Sequence, residues 1–572
     1  MGQIRCRLII KSTILKHSTI FFFIGSITYS TQILAGVENA RVNFNKNALE
    51  SSIIAEFALG YHDIPAAIER YTTLAIENQS TLVKQRALNI AIQYNNIDAA
   101  LAIATQWVKQ EPKDVPALFY LAHIALKAHD YTLAAQTLNK ILALDPSSDL
   151  EEILAGISPE DPNDRETLIE ALSLSPERNN PAILVLIAGL QAQNSKIEQA
   201  LSTINKALKQ QPKTTSYILM KANLLNALGD QEKTLDWYQT ASKKNSKNIE
   251  VRLAEAKYLI KINQSELALE KLENILKDWP THEESLFIAG LTSIDLQQYN
   301  KAENFLIRLR SSQEYKNEAY FYLAVNAERK DHDETAKAYY RLVDGNLYPV
   351  SRKKLVAILE KQNQLDDAVR FLTQERVNYP QYSSFLYLTQ ADVLKRQGNK
   401  KAAIRLLDEA IYYLPDDPEI IYAEVVLLDP YTEQKRLDIL LKKLLEIEPN
   451  HPTYLNAYAY TLALQNRDLK QARHYAERAL ELAPEQASIL DTLGFVAYLQ
   501  NDFDTAAQAL SQAFTQNPSL KIGIRYARAL YMQGNLTQFH QVLKQLKQLD
   551  PNDAELKTLE NLVLPQSVHS KH

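Results

Sequence analysis

Prolines recur along most of this chain at a spacing close to 34 residues. Pro112 and Pro146 are 34 apart; Pro212 lies 66 further on and Pro280 another 68, each about two periods. From Pro380 the series continues through Pro415, Pro449, Pro484, Pro518 and Pro551 with gaps of 35, 34, 35, 34 and 33. A fixed period of this length means one small unit repeated along a line, not the four or so unrelated domains that 572 residues otherwise suggest.

The units share an internal pattern. An alanine stands twelve residues before the proline in most of them: Ala100, Ala134, Ala200, Ala268, Ala403, Ala472 and Ala506. About twelve residues further back, a small residue follows a bulky aliphatic one, as in Leu121-Ala122, Ile187-Ala188 and Leu493-Gly494. Between these marks apolar residues recur at three and four, in two blocks separated by polar turns such as Asn95-Asn96, Gly229-Asp230, Gly398-Asn399 and Asn501-Asp502. Each unit therefore reads as two antiparallel helices, with small residues where they approach and proline ending the second. A single pair cannot bury both its faces, so the units must stack.

This pattern resembles the tetratricopeptide repeat (TPR) family, most clearly from Leu490-Asp491-Thr492-Leu493-Gly494 through Phe503-Asp504-Thr505-Ala506-Ala507 to Leu510, Ala513, Phe514 and Pro518. The resemblance implies an all-α solenoid, a right-handed superhelix of about 14–15 repeats, with units beginning near 48, 81, 115, 149, 181, 215, 249, 283, 317, 349, 384, 418, 453, 487 and 520. The expected segments are 1–36 (signal peptide or anchor), 37–47 (leading segment), 48–148 (three repeats), 149–180 (a degenerate repeat), 181–348 and 349–551 (arrays), and 552–572 (capping helix and tail). In the degenerate repeat Gly156, Pro159 and Pro162 truncate the first helix, and Asp161-Pro162-Asn163-Asp164 reads as loop and cap. At Asp344-Gly345-Asn346 and Pro349 the period shortens to 32. Either irregularity could act as a joint or alter the pitch.

Composition limits the chemistry. The 13 glycines are roughly a third of the usual ~7% share, which leaves little room for positive-φ turns and phosphate-cradling loops. Cys6 is the only cysteine, so disulfide and thiolate-metal scaffolds are excluded. Lys plus Arg at 63 against Asp plus Glu at 68 is too balanced for a general nucleic-acid binder. No phosphate loop, dinucleotide fingerprint, nucleophile elbow or His-Glu-x-x-His pair occurs; His282-Glu283-Glu284 begins like the last without its second histidine. Acidic pairs such as Glu151-Glu152 and Asp366-Asp367 read as solvated surface, and Trp107, Trp237 and Trp279 as packing residues. No catalytic, cofactor or metal residue is assigned, and no enzyme is expected.

The first 36 residues differ from the rest. Arg5, Arg7, Lys11 and Lys16 precede an uncharged stretch from Ser18 to Val37 that contains Ile20-Phe21-Phe22-Phe23-Ile24. Basic, then apolar, then small is the order of a secretory signal, with cleavage expected after Ala35 or Gly36; an uncleaved membrane anchor is the alternative. Removing those four cations leaves 59 against 68 acids, a mature charge of -9. Leu34-Ala35-Gly36 begins like a lipoprotein signal, but Val37 stands where the lipidated cysteine would be, so a non-lipidated periplasmic protein is expected.

Binding is expected along the first helices of the repeats. Near the C-terminus the expected groove positions are Tyr454, Tyr458, Phe495, Tyr498, Arg528 and Tyr531, residue types that serve as binding anchors, with inter-repeat packing as the competing role. The Lys and Asn clamp of chaperone-tail TPRs is not found; Phe119, Leu219, Phe287 and Phe321 occupy the corresponding positions. The stretches Ala48–Leu59, Asp63–Ile68, Arg86–Ala91 and Trp107-Val108, with Leu455–Ala463 and Leu490–Phe495, look like exported Gram-negative TPR lipoproteins. Some of these hold a carboxy-terminal processing protease and present cell-wall hydrolases to it. The resemblance implies an adaptor, with Glu50, Ile54 and Phe57 on one docking surface and the aromatic groove as another. The alternatives are a structural part of an outer-membrane assembly or polysaccharide export machine, and an enzyme with an unfamiliar site.

Overall fold

The computed structural model describes residues 46–77, 80–146, 148, 150 and 158–561. The signal or anchor reading of 1–36, the segment 37–45, Glu151-Glu152, Gly156 and the tail from Leu562 lie outside these residues. Thirty α-helices and three short 3-10 turns, and no strand, occur among the described residues. They divide into two compact units, one ending at His332 and one beginning at Asp333.

In the first unit, helix pairs begin at Lys46, Thr81, Val115, Pro181, Thr215, Ile249 and Glu283, with the helices Pro162–Ser173 and Lys316–Arg329 standing singly. In the second, the helix Asp333–Arg341 is followed by pairs beginning at Tyr348, Ser383, Pro418, Pro452, Ala487 and Leu520, then a last helix, Ala554–Asn561. These starts fall within two residues of the starts expected from the sequence.

All of the pairs except the one beginning at Pro418 reverse through a left-handed residue. His62, Asn95, His129, Ser195, Gly229, Asn263, Gln297 and Asp331 in the first unit, and Asn363, Gly398, Asn466, Asn501 and Gly534 in the second, all have φ between 48° and 82°. The link between scarce glycine and scarce positive-φ turns is therefore corrected: the turns are abundant, and only three of these thirteen residues are glycine. Asparagine is the usual substitute because its short polar side chain tolerates this region. The amide that follows closes the first helix, as Asn96 N donates to Ala91 O at 2.8 Å and Asp502 N to Ala497 O at 2.9 Å. Where that next residue is Asn or Asp it also caps the second helix: Asn96 accepts from Ala99 N at 3.0 Å and Asp130 from Leu133 N at 2.9 Å, whereas Lys196, Gln264, Gln298 and Gln364 make no such bond. The dipeptides seen in the sequence are thus a helix stop followed by a helix start.

The alanines twelve residues before each proline are fully buried. The small residue of the first helix has a steric cause. A Cβ on Gly494 would lie 2.5 Å from Leu510 Cγ, and one on Gly290 would lie 2.7 Å from Leu306 Cγ. In both cases the leucine follows the glycine by sixteen residues, so it presses from the partner helix onto the same spot.

Both irregular stretches are tied down. Asp161 caps the helix Pro162–Ser173 through Asn163 N at 2.7 Å, and Arg165 donates to Pro159 O and Glu160 O, both at 2.9 Å. Near Asp344 the fully buried Arg352 donates to Tyr340 O at 2.7 Å, Val343 O at 2.9 Å and Arg341 O at 3.2 Å. Its Nε reaches Glu375 Oε2 at 2.6 Å, which also accepts from Tyr348 OH at 2.8 Å. Arg352 thereby satisfies the carbonyls left open where the short helix Asp333–Arg341 ends.

A second buried acid carries a pH dependence. Glu424, on the helix Pro418–Leu427, accepts from Arg436 Nε at 2.5 Å, yet burial pushes its carboxyl up to about 7 against the pull of Arg436. The folded value lies above the ordinary 4.5, so stability from this site is full below about 4.5 and is lost as pH rises through about 7.

Three outcomes follow. Gly494→Ala should cost about 1–3 kcal/mol, read as a lowered melting temperature. Arg352→Met should cost about 3–5 kcal/mol, because it leaves the buried Glu375 carboxylate without its cation and takes a side-chain donor from three carbonyls; an unchanged urea midpoint would contradict this. The stability difference between the wild type and Glu424→Gln should shift against the wild type, on the order of 1–3 kcal/mol, as pH rises from about 5 to about 8, read by urea unfolding at each pH.

Candidate functional site

The groove of the second unit is lined by one strip from each first helix. In the helix Ala487–Leu499 eight side chains are buried, whereas its neighbour Leu469–Leu482 buries only Ala472, Ala476 and Ala479. A first helix packs on both sides, so only a narrow strip of it faces the groove.

Of the residues expected there, Tyr454 and Tyr458 do not reach it. Both are buried, Tyr454 stacked on His451 with ring centroids 3.9 Å apart and Tyr458 on Tyr475 at 5.2 Å. Burial raises the Tyr458 phenol to about 12. Tyr498 is half-buried against Phe503, and Tyr531 against Phe539. Arg528 donates to Glu555 Oε2 of the last helix at 3.0 Å. Phe495 is the one expected groove residue that joins a cluster of charged and aromatic side chains.

That cluster comes from three successive first helices: Tyr460 from Pro452–Leu464, Asp491 and Phe495, one turn apart, from Ala487–Leu499, and Lys521 and Arg525, one turn apart, from Leu520–Gln533. The Tyr460 hydroxyl accepts from Lys521 Nζ at 2.6 Å and from Arg525 Nη2 at 3.0 Å. Arg525 Nη1 donates to Asp491 Oδ2 at 2.6 Å, and its guanidinium lies 4.1 Å from the Phe495 ring centroid. Burial raises the Tyr460 phenol, but the two cationic donors outweigh it and leave the group below its ordinary value. The signal for this cluster was the i, i+4 spacing of Lys521 and Arg525. It was missed because the helical phase was set two residues away, at Tyr458 instead of Tyr460.

Earlier in the same unit a cleft of about 740 Å³ has an apolar floor of Val356, Phe385 and Leu388. Its rim carries the ion pair Arg396–Glu360 at 2.7 Å and Lys353, whose ammonium lies 5.5 Å from the Phe385 ring. The groove thus sets aromatic rings beside cations in two places.

In the first unit, Glu50, Ile54 and Phe57 share one face of the helix Lys46–Gly60. Glu50 is exposed, Phe57 is 62% exposed, and Leu49, Ile53 and Tyr61 extend the same apolar strip. The adjoining Glu56 is held by Arg86 at 3.0 Å and by the Tyr71 hydroxyl. Elsewhere, the His282 look-alike proves to be a helix cap, accepting from Ser285 N at 3.2 Å. Trp107 is buried beside Tyr120, and Trp237 donates to Ile218 O at 3.0 Å. No group of His, Cys, Asp and Glu able to hold a metal occurs among the described residues, and none of their helices is long and apolar enough to cross a membrane.

Comparisons with known proteins agree with the helix-pair geometry. Two tetratricopeptide repeat profiles match, one at residues 91–157 and 497–562 and the other at 459–521. The TPR repeat-containing protein PA4667 of Pseudomonas aeruginosa is 23% identical over 485 residues, covering 84% of this chain and 82% of its own. Among solved structures, Naa15/Naa10 bound to HypK aligns with 83% of this chain and 70% of its own, at 16% identity and a TM-score of 0.37. The Cut9–Hcn1 hetero-tetramer aligns with 90% and 99%, at 14% identity and a TM-score of 0.33. The chain is a tetratricopeptide-repeat protein, a solenoid of helix pairs of the kind through which proteins bind other proteins.

Proposed function

We propose that this protein is a non-catalytic scaffold of the bacterial periplasm that brings two proteins together, a carboxy-terminal processing protease and the envelope proteins it cleaves. The observation that carries this reading is the exposed apolar strip of Leu49, Ile53, Ile54 and Phe57 on the helix Lys46–Gly60, the outermost described helix of its unit. Contiguous exposed apolar side chains of this kind mark interaction surfaces, and an aromatic at their centre is a typical anchor. The groove of the second unit supplies a separate surface of different chemistry, cationic and aromatic. Two surfaces on one chain raise the effective concentration of one partner near the other, so each contact can be weak while the tethered encounter is fast. Export to the periplasm rests on the basic, apolar and small order of the first 36 residues. The adaptor role rests on the resemblance to exported TPR proteins.

The test is cross-linking of the full chain in periplasmic extract followed by mass spectrometry. Protease peptides should join the helix Lys46–Gly60, and Phe57→Lys should weaken that association about tenfold or more while leaving groove adducts in place. Recovery of no protease, hydrolase or envelope-assembly protein, or adducts unchanged by Phe57→Lys, would reject the scaffold.

A further inference from the structure

The cluster of Tyr460, Asp491, Phe495, Lys521 and Arg525 holds more cation than it neutralises. Arg525 has a carboxylate, Asp491, but Lys521 meets only a phenol: its ammonium donates to the Tyr460 hydroxyl and lies 5.0 Å from that ring. Elsewhere the groove cation Arg396 is paired with Glu360 at 2.7 Å and Asp392 at 3.1 Å. A neutral hydroxyl is a weak substitute for a carboxylate, since charge-assisted hydrogen bonds are roughly twice as strong as neutral ones. Lys521 is also exposed, so an incoming anion reaches it without any rearrangement of the helices.

One further observation says what kind of molecule carries that anion. The pairing of cation with ring recurs along the groove at Lys353 and Phe385. A ligand with carboxylates at intervals, separated by apolar side chains, matches both places; a lone carboxylate at a chain end matches only one.

We propose that this groove recognises an acidic internal segment of a partner protein, with a Glu or Asp side-chain carboxylate seated on Lys521 beside Tyr460 and apolar side chains against Phe495. The inference rests on the groove being a protein-binding surface and adds the chemical class of its ligand. The chain's own net charge of -5 makes the local excess of cation selective, because acidic segments are repelled from most of the surface and attracted here.

The probe is a rhodamine-labelled peptide of alternating Glu and Leu with both termini blocked so that no terminal carboxylate is present, titrated against the full chain by fluorescence polarisation. Its Gln-for-Glu counterpart should bind about tenfold more weakly. Lys521→Glu, at a helix N-terminus where an acid is well tolerated, should weaken the Glu peptide by about tenfold and leave the Gln peptide unchanged. Lys544→Glu, on the exposed face of the helix Leu536–Leu549, should change neither. Equal binding of both peptides that Phe495→Ala abolishes would overturn the acidic class while leaving the groove as a binding surface. No binding of the Glu peptide, or equal losses from Lys521→Glu and Lys544→Glu, would overturn the inference itself; the cross-links at the helix Lys46–Gly60 decide the scaffold reading separately.

Discussion

A left-handed residue in nearly every repeat fixes the geometry of the helix pairs. It must stop a helix, turn the chain and hand over to a capping residue within two positions. A non-glycine residue in this conformation costs about 1–2 kcal/mol, and an Asn or Asp N-cap, where one follows, returns about 1. The 6→1 amide bond adds a further offset, as from Asn96 N to Ala91 O or from Asn535 N to Leu530 O. Because the reversal is nearly neutral on this account, glycine is not required, and asparagine at Asn95, Asn263, Asn363, Asn466 and Asn501 serves as well as glycine at Gly229 or Gly398. With the turn fixed, the small residue of the first helix always meets the same side chain of the second, as Gly494 meets Leu510.

The repeat was legible in the sequence because its constraints recur. Proline recurs after the second helix, and alanine or glycine where helices touch; each appears often enough to establish a period. Arg352 was not legible, because it is one residue in one repeat, and nothing in Tyr348-Pro349-Val350-Ser351-Arg352 separates a buried guanidinium from a surface one. Its burial follows from a local defect: where the helix Asp333–Arg341 ends early, open carbonyls create a demand for donors that a long planar cation can meet. The shortened period at Asp344 marked the place but not the residue that holds it.

The groove was legible only as a location. First helices in a solenoid are apolar almost all round, since they pack against the partner helix and against both neighbouring repeats, so apolar periodicity does not say which strip is left free. Along Pro452–Leu464 the sequence offers tyrosines at 454, 458 and 460, and only packing decides that the first two are core while the third meets Lys521. Second helices pose less difficulty: the helix Leu469–Leu482 fully buries only a single line of alanines.

Charge is distributed by the same logic. Lys257–Glu284 at 2.5 Å, Arg467–Asp438 at 2.5 Å, Arg473–Asp502 at 2.7 Å and Lys443–Asp416 at 2.9 Å each join neighbouring repeats. Singly such pairs contribute about 0–1 kcal/mol, but each also fixes the register of one repeat on the next and takes a cation out of circulation. In a chain with more acids than bases, pairing between repeats consumes positive charge. A groove cation held only by a phenol is then set apart electrically, and its position along the solenoid, between the first helices of three successive repeats, gives a partner both an attractive point and a fixed register.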